Sequence, residues 1–126
     1  MHKVILDTNF LIIALQYKID IFQELSRILD VRFDVYIIDK TINELEKLIN
    51  KPKVSQSIIN LVKAFIKRKN IKILRTKQGS YADDAILSLK PKDIMVATQD
   101  KRLKEALKKK SIPIIIIRQR RYLQLI

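Results

Sequence analysis

The chain has 126 residues, a formal net charge of +13 and no cysteine. That length suits one domain with a real core, and the missing cysteine excludes a disulfide framework, a thiolate metal site and a cysteine nucleophile. The only histidine, His2, stands at the start of the chain, so any catalysis must rest on carboxylates, hydroxyls, lysines or a metal they hold. No apolar run is long enough to cross a membrane. Asp7 interrupts the N-terminal stretch, so no signal peptide is expected and a cytoplasmic location is.

The distribution of charge says more than its total. Residues 1–39 carry 4 basic and 6 acidic side chains, residues 40–80 carry 11 and 2, residues 81–100 carry 2 and 4, and residues 101–126 carry 9 and 1. Two acidic segments therefore alternate with two strongly basic ones. A basic surface favours a polyanion such as nucleic acid. The 18 Lys and 23 Ile also suit a thermophile surface, so the separation of signs carries more weight than the net value.

In chain order, Val4 to Leu6 is a short β-branched apolar run and predicts a buried strand. Asp7-Thr8-Asn9 are helix-starting residues, and Phe10 to Leu15 continue at helical spacing. Asp20-Ile21-Phe22-Gln23 has the form of a capping box opening a helix to about Leu29. Phe33 to Ile38 predicts a second strand, followed by a helix from Asp39 or Thr41 to about Asn50, closed by Pro52. Ser55 or Ser57 caps a helix to about Lys69, with Ile58, Ile59, Val62, Phe65 and Ile66 on its apolar face. Ile71 to Leu74 is a third strand, Gly79 marks a turn, and Ala82 to Leu89 is a short helix stopped by Pro91.

Ile94 to Ala97 is a fourth strand, and Asp100 opens a lysine-rich helix to about Lys110. Ile114 to Ile117 is a fifth strand, whose unbroken apolar run suits burial on both faces. Strands alternating with helices predict a parallel sheet with helices on both sides. The whole chain, residues 1–126, is expected to form one domain, with the basic segment 118–126 outside the alternating pattern.

On this map the acids acquire positions. Asp7 ends the first strand, Glu44 lies one turn into the helix after the second, Asp83 and Asp84 begin the helix after the third, and Asp100 follows the fourth. In a parallel sheet all these exits open on one edge, the edge where ligands bind in open α/β folds. Carboxylates gathered there repel one another unless a cation sits among them, and hard divalent cations take oxygen ligands. Each acid also has a plainer role: Asp7 as an N-cap, Glu44 in a Thr41-Ile42-Asn43-Glu44 capping box, the others as first-turn complements to a helix dipole. Singly the plainer role is favoured; the repeated placement favours a site. Asp20, Glu24, Asp30, Asp34, Glu46 and Glu105 read as ordinary surface, and Asp39 as a bystander at the same edge.

Four blocks, Val4-Ile5-Leu6-Asp7-Thr8-Asn9-Phe10-Leu11, Glu44, Tyr81-Ala82-Asp83-Asp84-Ala85-Ile86-Leu87 and Ala97-Thr98-Gln99-Asp100-Lys101-Arg102-Leu103-Lys104, resemble in order and spacing the motifs of PIN-domain nucleases. The resemblance spans nearly the whole chain. It implies a three-layer α/β/α sandwich with a five-stranded parallel sheet, and acids that hold Mg²⁺ or Mn²⁺ for hydrolysis of RNA. By that resemblance Asp7, Glu44, Asp83 and Asp100 are the catalytic acids, with Asp84 as a further metal ligand and Thr8, Asn9 and Thr98 as polar supports. Asp83 is preferred to Asp84 because Ile86 and Ser88 follow it at the family's usual spacing.

Within the family, Gly79 to Asp84, the Thr98 to Lys104 block and the Ile112 to Tyr122 segment resemble the small-subunit processome type, which cuts precursor ribosomal RNA, in a minimal archaeal-like form. A VapC-type toxin RNase, paired with an antitoxin, is the alternative. RNA is the expected partner, alongside a processing factor or antitoxin and a possible second copy of the chain; no membrane is expected. Lys101, Arg102, Lys104, Arg118, Arg120 and Arg121 are expected to track the RNA backbone, with Tyr122 stacking on a base. Lys108 to Lys110 is explained by the dipole at a helix C-terminus. A non-catalytic RNA-binding scaffold stays open. A phospho-receiver domain fits poorly, because Arg75-Thr76 follows the third strand and Arg118 follows the fifth.

Overall fold

A computed structural model describes residues 1–49, 51, 55–76, 82–87, 89 and 92–126, without the side chains of 82–84. The expected features at Asn50, Pro52, Gly79, Tyr81, Ser88 and Pro91 lie outside the described residues. The elements run β1 (His2–Leu6), α1 (Thr8–Gln16), α2 (Ile21–Ile28), β2 (Phe33–Ile38), α3 (Asp39–Leu48), α4 (Gln56–Arg68), β3 (Lys72–Leu74), α5 (Ala82–Leu87), β4 (Ile94–Ala97), α6 (Lys101–Lys109), β5 (Ile114–Arg118) and β6 (Tyr122–Leu125). Among the described residues no helix is long and apolar enough to cross a membrane.

Among the described residues the sheet has six strands in the order β3-β2-β1-β4-β5-β6. The first five are parallel, and β6 returns antiparallel to β5. The three-layer sandwich holds, with one strand more than the sequence predicts. Segment 118–126 is no tail: Arg118 ends β5, and the chain turns back into β6. The hairpin gave no local cue because its turn residues are Gln119 and Arg120, with φ of 51° and 56°, where glycine or asparagine is usual.

Strand alternation divides the core between two helical layers. Val4, Leu6, Val35, Ile37, Met95, Ala97, Ile115, Ile117 and Leu123 pack on the side of α1, α2, α3 and α4, against residues such as Phe10, Leu25, Leu45 and Ile59. Ile5, Ile38, Val96, Ile114 and Ile116 pack on the other side, against Ala85 and Ile86 of α5 and Leu103 and Leu107 of α6. The run Ile114 to Ile117 therefore gives two side chains to each layer, as period-two geometry requires.

This topology fixes where a site can form. From β1 the chain builds outward through β2 and β3, then crosses to the other flank of β1 for β4 and β5. The order reverses between β1 and β4, and such a reversal opens a crevice at the carboxyl ends of the two strands. Leu6 pairs with Ala97 across it. The next residues are Asp7 and Thr98.

Candidate active site

Among the described residues, the buried polar side chains are Asp7, Thr8, Thr41 and Thr98. All four stand at or just beyond the carboxyl ends of β1, β2 and β4. A polar group is costly to bury unless it is hydrogen-bonded. Asp7 Oδ1 accepts from the Thr8 N–H at 2.9 Å, and Oδ2 accepts from the Thr98 hydroxyl at 3.0 Å. The Asp7 N–H itself donates to the Ala97 carbonyl at 2.9 Å, so the residue is tied to β4 through both main chain and side chain. The Asp7 carboxylate thus caps α1 and at the same time joins the chain leaving β1 to the chain leaving β4.

Two threonine hydroxyls carry the arrangement outward. Thr98 Oγ1 donates to Asp7 and accepts from the Asp100 N–H at 3.1 Å. Asp100 in turn caps α6, with Oδ1 accepting from Leu103 N–H at 2.8 Å. On the other flank Thr8 Oγ1 lies 3.0 Å from Thr41 Oγ1 and 3.1 Å from Glu44 Oε1. A hydroxyl has one proton and an ionised carboxylate only accepts. Thr8 is the donor in both contacts, so its single proton is shared between Thr41 and Glu44. Adjacent Thr8 and Asp7 thus link three carboxylates from three chain segments: Glu44, Asp7 and Asp100.

The capping box proposed for Thr41 to Glu44 does not form. Helix α3 starts at Asp39, which places Thr41 inside the first turn with its side chain buried. Glu44 is turned instead toward Thr8 of α1. Asp39 stands at the same edge but is committed elsewhere: it accepts from the Thr76 hydroxyl and, at 3.1 Å, from the Thr76 N–H. The Thr76 hydroxyl bond holds its carboxyl below the usual aspartate range. It pins the chain leaving β3 to the start of α3.

The remaining expected residues divide by position. Asn9 is exposed in the first turn of α1. Asp83 and Asp84 lie in the first half of α5, with side chains outside the described residues, while Ala85 and Ile86 anchor that helix in the core. Lys101 and Arg102 are exposed in the first turn of α6, where the helix dipole disfavours cations. Lys104 is half-buried one turn on, and Arg118, Arg120 and Arg121 are exposed at the β5–β6 turn. His2 stands at the opposite edge, 3.8 Å from Asp93.

Sequence reasoning did not identify Thr41, whose burial depends on where α3 begins. Nor does the sequence single out Gln99, between Thr98 and Asp100, or Glu24 and Arg27, which look like ordinary helix surface. Gln99 Nε2 donates to the Ile117 carbonyl at 3.3 Å, and the Ile117 N–H donates to Gln99 Oε1 at 2.6 Å.

The donors at this edge are oxygens, the ligand type of a hard divalent cation. Among the described residues no three of the His, Cys, Asp or Glu side chains gather closely enough to hold a metal ion by themselves. The donor chemistry fits such an ion, and α5 is the remaining strand exit from which further carboxylates can come.

A family model described as a PIN like domain matches residues 4–120. Ribonuclease VapC4 of Methanocaldococcus jannaschii is 35% identical, over 99% of this chain and 97% of that protein. The rRNA-processing protein fcf1 of Schizosaccharomyces pombe is 34% identical over 92% of this chain, but the match takes in only 59% of that protein. The solved structure of the PIN domain endonuclease Utp24 matches with a TM-score of 0.81 and 33% identity, over 98% of this chain and 90% of that one. With a family model over nearly its whole length and a relative matched from end to end, the chain belongs to the PIN-like domain family.

Proposed function

We propose that this chain is a cytoplasmic, divalent-metal-dependent endoribonuclease that acts on precursor ribosomal RNA. The observation that carries the reading is the threonine-linked arrangement of Asp7, Glu44 and Asp100 at the sheet's switch point. Asp7, Glu44, Asp83 and Asp100 are the catalytic acids, and with Asp84 they would hold Mg²⁺ or Mn²⁺. When bound, the ion supplies Lewis-acid chemistry, activating water and offsetting charge at the scissile phosphate.

The protein's own groups supply orientation. Thr98 aims Asp7 Oδ2, and Thr8 aims Glu44 Oε1. Asp100 caps α6 through Oδ1 and would be among the residues that hold the ion. Asn9 adds a polar group at the rim. Lys101, Arg102 and Lys104 at the α6 start, with Arg118, Arg120 and Arg121 at the hairpin, hold RNA phosphates beside the acids. Replacing Glu44 by Gln or Asp100 by Asn is expected to reduce cleavage sharply while sparing the fold.

A second reading has its own support. The VapC4 match covers nearly all of a ribonuclease of similar length, whereas the fcf1 match covers about three-fifths of a longer protein. Toxin-type action, controlled by an antitoxin, therefore stays in contention, and either role allows a second copy of the chain. Incubating the protein with precursor rRNA segments, transfer RNAs and unstructured RNA, with Mg²⁺, Mn²⁺ or EDTA, separates the readings. Metal-dependent cutting confined to precursor rRNA supports processing. Cutting of other cellular RNAs, suppressed by a co-encoded small protein, supports the toxin. Salt-sensitive binding with no cutting under any metal points to a scaffold.

A further inference from the structure

The β5–β6 hairpin is held by side chains that imitate missing strands. Strand β4 ends at Ala97, opposite Ile115, so β5 continues three residues, about 10 Å, past its neighbour. Over that overhang the N–H and C=O of Ile117 face the side β4 has vacated. Gln99 fills the place: its carboxamide accepts from the Ile117 N–H and donates to the Ile117 carbonyl.

The other side of the hairpin is treated in the same way. Ile126 and Ile114 exchange both main-chain bonds. Antiparallel alternation then points the N–H and C=O of Leu123 toward the open edge of the sheet. There Glu24 Oε1 accepts from the Leu123 N–H at 2.8 Å, and Arg27 Nη2 donates to the Leu123 carbonyl at 2.8 Å. The two α2 residues are themselves joined by paired bonds of 3.0 Å. Ile117 and Leu123 are directly opposed across the ladder. One rung of the hairpin is therefore clamped from both sides, by one carboxamide and by one ion pair.

Beyond this rung come Arg118, the turn at Gln119 and Arg120, and Arg121. The turn holds two consecutive left-handed residues without glycine, a conformation that the surroundings must enforce. The Arg120 guanidinium lies 5.3 Å from the Tyr17 ring centre and that of Arg27 lies 5.9 Å from Tyr122, further tying the turn to the α1–α2 corner. Gln99 sits between Thr98, which orients Asp7, and Asp100. One arm of the clamp thus comes from the same three-residue segment, 98–100, that supplies Thr98 and Asp100 to the acid edge.

We propose that Gln99 and the Glu24–Arg27 pair are positioning residues that fix the arginine turn relative to the acid edge, so that RNA phosphates gripped by the turn are held in register with Asp7 and Asp100. The proposal rests on the ribonuclease reading for its purpose. Its test rests on RNA binding and amide exchange, which are measurable whether or not the RNA is cut.

The variants are Gln99→Leu, which removes both bonds at similar volume; Gln99→Glu, which keeps the acceptor for Ile117; and Glu24→Gln, which weakens the outer clamp. Binding of a short labelled single-stranded RNA is measured in EDTA at fixed salt, alongside hydrogen exchange of the Ile117 and Leu123 amides. Gln99→Leu is expected to weaken binding about tenfold, with faster exchange at both amides, and Gln99→Glu to lie between it and wild type. In cleavage the loss should appear in KM with kcat changed less than about twofold. Adding Gln99→Leu to a protein already carrying Arg120→Ala and Arg121→Ala should weaken binding no further.

Wild-type binding by Gln99→Leu overturns the proposal, as does an equal loss in the background lacking Arg120 and Arg121, which signals general damage. A wild type that binds RNA with this Gln99 dependence but never cuts would leave the clamp standing and remove the nuclease. A wild type that binds no RNA removes both.

Discussion

The acid edge and the arginine turn stand side by side at the same end of the sheet, and they are held by different means. Asp7 is 6% exposed and Thr98 fully buried. Their hydrogen bonds run between the ends of two central strands whose flanking residues fill both core layers. The arginine turn is exposed and projects past its neighbouring strand, with side chains in place of a β-ladder. Groups that must keep a fixed geometry gain from rigid elements, and at the turn the Gln99 and Glu24–Arg27 contacts stand where neighbouring strands would otherwise supply that rigidity. The two regions thus differ in what holds them: strand ends at the acids, side chains at the turn.

That contrast can be broken from either side. Thr98→Val should have the larger effect, because it removes the donor to Asp7 and leaves the Asp100 N–H without its acceptor. A loss of stability of about 1–3 kcal/mol is expected in urea unfolding, and cleavage should fall by about ten- to a hundredfold, mostly in kcat. Replacing Arg120 and Arg121 with Ala should instead raise KM and lower the slope of log affinity against log salt by about one per lost phosphate contact, with little change in thermal stability. If the arginine changes struck kcat and Thr98→Val struck KM, the division would be reversed.

The smallest effect concerns pH. Bonding to Arg27 holds the Glu24 carboxyl below its ordinary range. A folded-state value below the unfolded one gives stability that is present above the ordinary glutamate range and lost as pH falls through the lowered value. The pair is partly exposed, so the effect on global stability is small. It should be visible locally, as lower protection of the Leu123 amide in acid that Glu24→Gln shows already at neutral pH.

Much of this molecule was legible in its sequence because local signals and topology agreed. The strand-then-acid pattern at Leu6-Asp7 and Ala97-Thr98-Gln99-Asp100 reports both the end of a buried strand and the start of a helix, and a parallel sheet brings such ends together without further information. Three things were hidden. The β5–β6 hairpin lacks glycine or asparagine at its turn, so its basic residues read as a tail. The orientation of Glu44 depended on whether α3 starts at Asp39 or Thr41, a shift of two residues that local capping rules do not decide. The partners of Gln99 and Glu24 are main-chain groups 18 and 99 residues away, and such bonds leave no periodic trace.

The most direct test of the central claim is cleavage by Asp7→Asn, which keeps the size of the side chain and one of its two acceptor oxygens while removing the charge. The account predicts metal-dependent RNA cutting by the wild type, a loss of at least about a hundredfold in the variant, and circular dichroism and salt-sensitive RNA binding close to wild type. Full cutting by a folded Asp7→Asn protein would contradict it, because the carboxylate at the switch point would then not be what the fold is arranged to present.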